Sequence, residues 1–175
     1  MALERGLVQV YTGEGKGKTT AALGLALRAA GHGLCVEIVQ FMKGWPGYGE
    51  LKGVDWLPSV TIHLFGRDGW VHPTEPDPED RARAAEALAF ARQVMVAGEV
   101  DILVLDEINV ALDYGLFELE SVLDLLDDRP PLVEIVLTGR SVHPEIARRA
   151  DLVTEMHKVK HPFDGGIHGR QGIEF

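Results

Sequence analysis

Short apolar runs alternate with longer segments of helical period along the chain. Leu7-Val8-Gln9-Val10-Tyr11 reads as a first strand. After a glycine-rich turn, Leu23, Ala26, Leu27 and Ala30 recur at i, i+3, i+4 and i+7. That spacing predicts a helix, stopped by Gly31-His32-Gly33. Residues 35–41 read as a second strand, and residues 60–65 alternate as a third. A helix opens at Asp77 or Pro78 and runs to about Ala97, with Ala84, Leu88, Ala91 and Met95 on one face. Asp101-Ile102-Leu103-Val104-Leu105 is almost continuously apolar, the pattern of a strand buried on both faces of a parallel sheet. A short helical turn follows to Gly115, then an amphipathic helix carrying Leu119, Val122, Leu123 and Leu126, which Pro130-Pro131 breaks. Residues 132–137 form a fifth strand, 144–149 a short helix and 152–156 a sixth strand. The tail from His157 to Phe175 has weak periodicity.

Strands alternating with helices predict an α/β fold: one domain over residues 1–175, a mostly parallel sheet of about six strands, helices on both faces. Ligands of such sheets sit beyond the carboxyl ends of the strands. The segments that follow the strands should therefore share one edge. Two of them are long, residues 42–58 and 66–78, and carry Trp45, Tyr48, Trp56 and Trp70, with Phe65 beside them. Long connections in a small domain are often binding loops.

Composition narrows the function classes. A chain of 175 residues with 46% hydrophobic and 25% charged residues is that of a soluble globular protein. A net charge of −10 argues against a broad nucleic-acid surface or an acidic membrane as partner. The single cysteine, Cys35, has no partner for a disulfide and is expected to be a small buried residue. No Cys/His spacing makes a zinc site, and no apolar run is long enough to span a membrane. The start of the chain lacks the apolar core of a signal peptide, so a cytoplasmic location is expected.

The turn after the first strand carries the chemistry. Gly13-Glu14-Gly15-Lys16-Gly17-Lys18-Thr19-Thr20 lies between a strand and a helix, the context of a phosphate-binding loop. Glycines let backbone N–H groups approach an anion, and the helix start adds its own N–H groups and positive dipole end. Lys18 would reach the outer phosphates and Thr19 would offer a hydroxyl to Mg²⁺. The usual pattern has glycine six positions before the lysine; here Thr12 stands there. Asp106-Glu107 ends the fourth strand, where a nucleotide-binding protein places a carboxylate for Mg²⁺. Spacing does not distinguish the two acids. Arg140, after Thr138-Gly139, is either a bidentate phosphate clamp or a surface ion pair. Lys158, Lys160 and His161 form a basic cluster, either functional or a solvated tail. The loop aromatics would wall a planar ligand or pack on their own core.

In order along the chain, 12-TGEGKGKTTAA-22, 39-VQFMKG-44, 104-VLDEIN-109, 137-LTGR-140, 159-VKHPFD-164 and 172-GIEF-175 resemble the phosphate-loop ATP:corrinoid adenosyltransferases. The resemblance spans nearly the whole chain. It implies a P-loop NTPase-like (RecA-like) domain that transfers the 5′-deoxyadenosyl group of ATP to the Co(I) of a corrinoid and releases triphosphate. It implies residues 13–20 as the ATP loop and Mg²⁺ (or Mn²⁺) on Thr19 with Glu107 or Asp106. Lys18, Glu107 and Arg140 become the catalytic set, and Trp70 is the residue that corresponds to the family's corrin-facing segment. It further implies a homodimer supplied with electrons by a flavoprotein. The competing enzyme class is a phosphate-loop kinase or ATPase acting at the γ-phosphate. A third possibility is a nucleotide-dependent scaffold.

Overall fold

The structure, a computed structural model, describes residues 3–175. Strands β1 (Val8–Thr12), β2 (Val36–Phe41), β3 (Val60–Phe65), β4 (Ile102–Asp106), β5 (Glu134–Thr138) and β6 (Leu152–Glu155) form one sheet in the order β3-β2-β4-β5-β1-β6. Every pairing is parallel. The helices are α1 (Lys18–Ala30), α2 (Gly49–Gly53), α3 (Pro78–Val96), α4 (Ile108–Asp113), α5 (Leu119–Asp127) and α6 (Pro144–Arg149).

Alternation along the central strands divides the core into two layers. Leu103, Leu105, Ile135 and Leu137 face one side, where they join Ala84 and Met95 of α3, Ile108 of α4, Val122 of α5 and Ile146 of α6. Ile102, Val104 and Val136 face the other side, against Ala22, Ala26 and Ala29 of α1. Burial on both faces is what the continuous apolar pattern of β4 and β5 demands. The start of α3 is specified locally. The Asp77 side chain accepts from the Glu79 N–H, the Asp80 side chain accepts from the Asp77 N–H, and Pro78 occupies the first turn.

Three expectations change. The buried stripe of α1 is Ala22, Ala26 and Ala29, while Leu27 is 58% exposed. Small side chains let that helix lie close to the sheet, and the leucine turns outward. On α3 the buried stripe runs through Ala87, with Leu88 only partly covered. Cys35, the residue before β2, is exposed rather than buried, because it points away from the side on which Leu34 and Val36 are buried. Strand β6 is an edge strand, and all four of its residues are exposed. Among the described residues, no helix is long and apolar enough to cross a membrane.

The register brings the strand ends level. Tyr11 pairs with Thr138, Gln40 with Asp106 and Thr12 with Glu155. The segments leaving β1, β2, β4 and β5 therefore meet at one edge of the sheet.

Candidate active site

The loop between β1 and α1 is shaped by what lies behind it. Gly13 has φ 94° and Gly17 φ 120°, in the region that favours glycine. A Cβ on Gly13 or on Gly15 would come within 2.6 Å of the Met156 carbonyl oxygen. The Gly15 N–H donates to that same oxygen at 2.6 Å. The shifted glycines thus have a local cause: the loop lies directly on the backbone that leaves β6. Lys18 is buried, and its ammonium donates to the Gly13 and Gly15 carbonyls at 2.7 and 2.8 Å. Burial pushes its pKa down, and the Glu107 carboxylate acts against that shift.

Beneath the loop, Asp106 is fully enclosed. Its Oδ1 accepts from the Thr19 and Thr138 hydroxyls at 2.9 and 2.7 Å. Its Oδ2 accepts from Gln40 Nε2 at 3.1 Å and from the Lys43 ammonium at 2.7 Å. Burial alone would raise this carboxyl's pKa, but Lys43 and the hydrogen bonds outweigh it and hold the pKa below the usual carboxylate range. Lys43 answers in kind: burial presses its ammonium toward neutrality, while Asp106 overcomes this and raises its pKa. With four donors committed to it, Asp106 organises the strand ends.

Glu107 behaves differently. It sits in the left-handed region at φ 64°, and its N–H donates to Thr138 Oγ1 at 2.9 Å. Its carboxylate accepts no hydrogen bond from the described residues, and its pKa is raised, first by burial and then by the Asp106 charge. Met42 at φ 59° and Ser141 at φ 54° share the same unusual conformation. Among the described residues, all three positive-φ residues other than glycine stand at this edge of the sheet, where backbone strain of about 1–3 kcal/mol each is tolerated to aim side chains.

Two cavities open here. The first, about 690 Å³, is lined by residues 14–20 of the loop and by Lys43, Glu107 and Arg140, and is closed on one side by His161 and residues 172–175. The second, about 540 Å³, is lined by residues 41–45, residues 67–71, Val110 and Tyr114. Lys43, Tyr48, Glu107 and Arg140 line both. Four cations, Lys16, Lys18, Lys43 and Arg140, face the first cavity in a chain whose net charge is −10. That concentration suits a polyphosphate. Thr19 and Glu107 face the same space, while Asp106 lies below its floor. Mg²⁺ keeps several waters and needs only one or two protein oxygens beside its phosphates. The free Glu107 carboxylate and the Thr19 hydroxyl fit that donor set.

Each sequence-predicted residue has a place. Gly15, Lys16, Gly17, Lys18, Thr19 and Thr20 line the first cavity together with Glu14, and Gly13 supports them from behind. Arg140 joins both of its expected settings. It lines the cavities and also pairs with Glu14 at 3.2 Å, an exposed pair worth roughly 0–1 kcal/mol. Trp45, Tyr48 and Trp70 wall the second cavity, with Trp70 99% exposed at its rim. Phe65 instead packs on Phe90 of α3, 5.4 Å between ring centres, and Trp56 lines neither cavity. From the basic cluster only His161 reaches a cavity; Lys158 pairs with Asp164.

Sequence reasoning passed over Thr138, Gln40 and the closing role of the tail. Thr138 was visible beside Arg140, and Gln40 beside Lys43 at the end of a strand. The tail reaches the loop through Lys16, whose ammonium donates to the Ile173 carbonyl at 3.2 Å and lies 3.7 Å from Glu174. The Phe175 ring packs on Trp45 at 5.4 Å, which in turn packs on Tyr48 at 5.3 Å.

The chain is similar to known proteins in sequence and in fold. A corrinoid adenosyltransferase of Pseudomonas aeruginosa is 41% identical over 98% of this chain and 85% of its own length. One from Escherichia coli is 38% identical over 98% of this chain and 87% of its own. A KaiC-like protein of Pyrococcus horikoshii shares the fold with a TM-score of 0.56 at 18% identity, over 89% of this chain and 74% of that one. The family model described as ATP:corrinoid adenosyltransferase BtuR/CobO/CobP matches residues 4–175, and the chain belongs to that family.

Proposed function

We propose that the protein transfers the 5′-deoxyadenosyl group of ATP to the Co(I) of a reduced corrinoid and releases triphosphate. The observation that carries this reading is the pair of adjoining cavities. One is built on a cationic phosphate loop, the other is walled by aromatic side chains, and they share four residues. An ATPase would need only the first, and a cavity walled by aromatic side chains suits a large planar second substrate. Family membership supports the same reaction.

The reaction makes modest demands on acid–base chemistry. Co(I) is a strong nucleophile with no proton to lose, so no general base is required. The protein must hold the 5′ carbon in line with cobalt, stabilise the departing triphosphate and keep water away. Lys18 holds the outer phosphates from within the loop. Arg140, at the mouth, closes on the chain of phosphates, exchanging its exposed pair with Glu14 for a bidentate contact. Glu107 and Thr19 would hold Mg²⁺, which when bound would neutralise phosphate charge. Asp106 keeps Thr19 oriented through their 2.9 Å hydrogen bond. Trp45 and Trp70 flank the corrin and exclude water above the cobalt. On the resemblance to the family, the same reading includes a cytoplasmic homodimer that receives Co(I) through a flavoprotein.

Product analysis tests this. With ATP, Mg²⁺ and chemically reduced cobalamin, the expected products are inorganic triphosphate and a light-sensitive adenosylated corrinoid. ADP with orthophosphate would replace this reading with γ-phosphate chemistry.

A further inference from the structure

A reaction that joins the carbon of one substrate to the metal of another takes place where their two spaces meet. The residues common to both cavities are Lys43, Tyr48, Glu107 and Arg140. Two of these are cations, and their settings are opposite. Arg140 is exposed and engaged with Glu14. The Lys43 side chain is only 17% exposed and is fixed 2.7 Å from Asp106 Oδ2. Its ammonium also lies 3.9 Å from Glu50 and 5.4 Å from the centre of the Tyr48 ring.

Donor accounting separates Lys43 from the loop lysine. An ammonium carries three hydrogens. Lys18 commits two hydrogen bonds to loop carbonyls and faces only the first cavity. Lys43 commits one, to Asp106, and faces both cavities. It therefore keeps donors in reserve at the junction.

We propose that Lys43 is the cation that stabilises the leaving oxygen of triphosphate as the bond to the 5′ carbon breaks. The proposal rests on the reaction read above and assigns a further catalytic residue to it. In the step, the Co(I) electron pair forms the cobalt–carbon bond. The C5′–O5′ pair departs with the triphosphate oxygen. Cobalt ends formally as Co(III), and no proton moves. New negative charge appears on one oxygen, at the boundary of the two cavities. An ammonium already locked in place and screened from water meets that charge without reorganising. Asp106 is then a positioning residue for Lys43 as well as for Thr19.

The test uses the full chain with Lys43→Met and Lys43→Arg, assayed with ATP and chemically reduced cobalamin, beside ATP binding by calorimetry. Lys43→Met should lower kcat by about 100-fold or more while the Kd for ATP stays within roughly threefold of wild type. Lys43→Arg should recover at least tenfold of that loss, about one decade on the same scale. A Lys43→Met variant with wild-type kcat overturns the assignment, and so does a parallel loss of kcat and ATP affinity. Should the methionine variant melt below the assay temperature, Lys43→Gln replaces it, keeping a donor to Asp106 without the charge: a kcat lowered by about 100-fold with ATP affinity kept supports the role of charge, and a kcat near wild type rejects it. Wild-type protein that forms no cobalt–carbon bond would reject the reaction itself, a result distinct from an active wild type with an indifferent Lys43→Met.

Discussion

Replacing Thr138 by valine removes one hydroxyl from a site with no solvent access. That hydroxyl makes two hydrogen bonds. It donates to Asp106 Oδ1 at 2.7 Å and accepts from the Glu107 N–H at 2.9 Å. Valine keeps the branched shape, so no cavity opens, and the loss is polar. A hydrogen bond to a charged group contributes about 1.5–3 kcal/mol, and a buried donor left without a partner costs about 1–3 kcal/mol. Asp106 retains Thr19, Gln40 and Lys43, which limits the damage. A net loss of about 3 kcal/mol follows. For a domain of this size it lowers Tm by about 6–12 °C. Thermal melts of Thr138→Val and Thr138→Ser test this. Serine retains the oxygen and should stay close to wild type. A valine variant within roughly 2 °C of wild type would refute the view that Thr138 ties β4 to β5 at the active edge.

Four other outcomes follow from the same geometry. Lys18→Ala should lower kcat/KM for ATP by about 100- to 1,000-fold, measured with reduced cobalamin, because its buried ammonium is held inside the loop by the Gly13 and Gly15 carbonyls. Glu107→Gln should leave Tm within roughly 2 °C of wild type and weaken the Mg²⁺ dependence of activity by about tenfold or more; an unchanged Mg²⁺ titration would remove Glu107 from the metal site. Trp70→Ala should leave Tm and ATP affinity unaltered, since the ring touches solvent almost everywhere, while weakening the binding of cob(II)alamin in a separate titration; a lowered Tm would make it a buttress. The Arg67 guanidinium holds the Asp80 carboxyl below the usual carboxylate range. That contribution is complete above an unfolded-state pKa near 4 and fades as pH falls below it. The drop in Tm between about pH 5 and pH 3 should therefore be smaller in Asp80→Asn than in wild type.

Much of this architecture was legible in the chain. Residues 102–105 and 135–137 are apolar without alternation, and both strands are buried on two faces. The helix start expected at Asp77 or Pro78 is found there, with α3 beginning at Pro78 and Asp77 as its cap. What stayed hidden depended on choices that local pattern does not encode. The first helix offers two overlapping stripes three and four residues apart, and the closeness of the sheet selects the alanines over Leu27. Adjacent acids look alike in sequence. Only the left-handed turn at Glu107 sends one carboxylate into the cavity and leaves the other beneath it. The fold-back of the tail onto Lys16 joins positions 157 residues apart and has no periodic signal. Cys35 is exposed because side chains alternate in extended chain, and its neighbours Leu34 and Val36 take the buried side.

The central claim is that the bond broken in ATP is C5′–O5′. ATP carrying ¹⁸O at the bridging 5′ oxygen tests it directly. After turnover with Mg²⁺ and reduced cobalamin, mass spectrometry of the products reports where the label went. The account predicts ¹⁸O in inorganic triphosphate and none in the adenosylated corrinoid. Label retained in a nucleoside diphosphate, with unlabelled orthophosphate beside it, would contradict it.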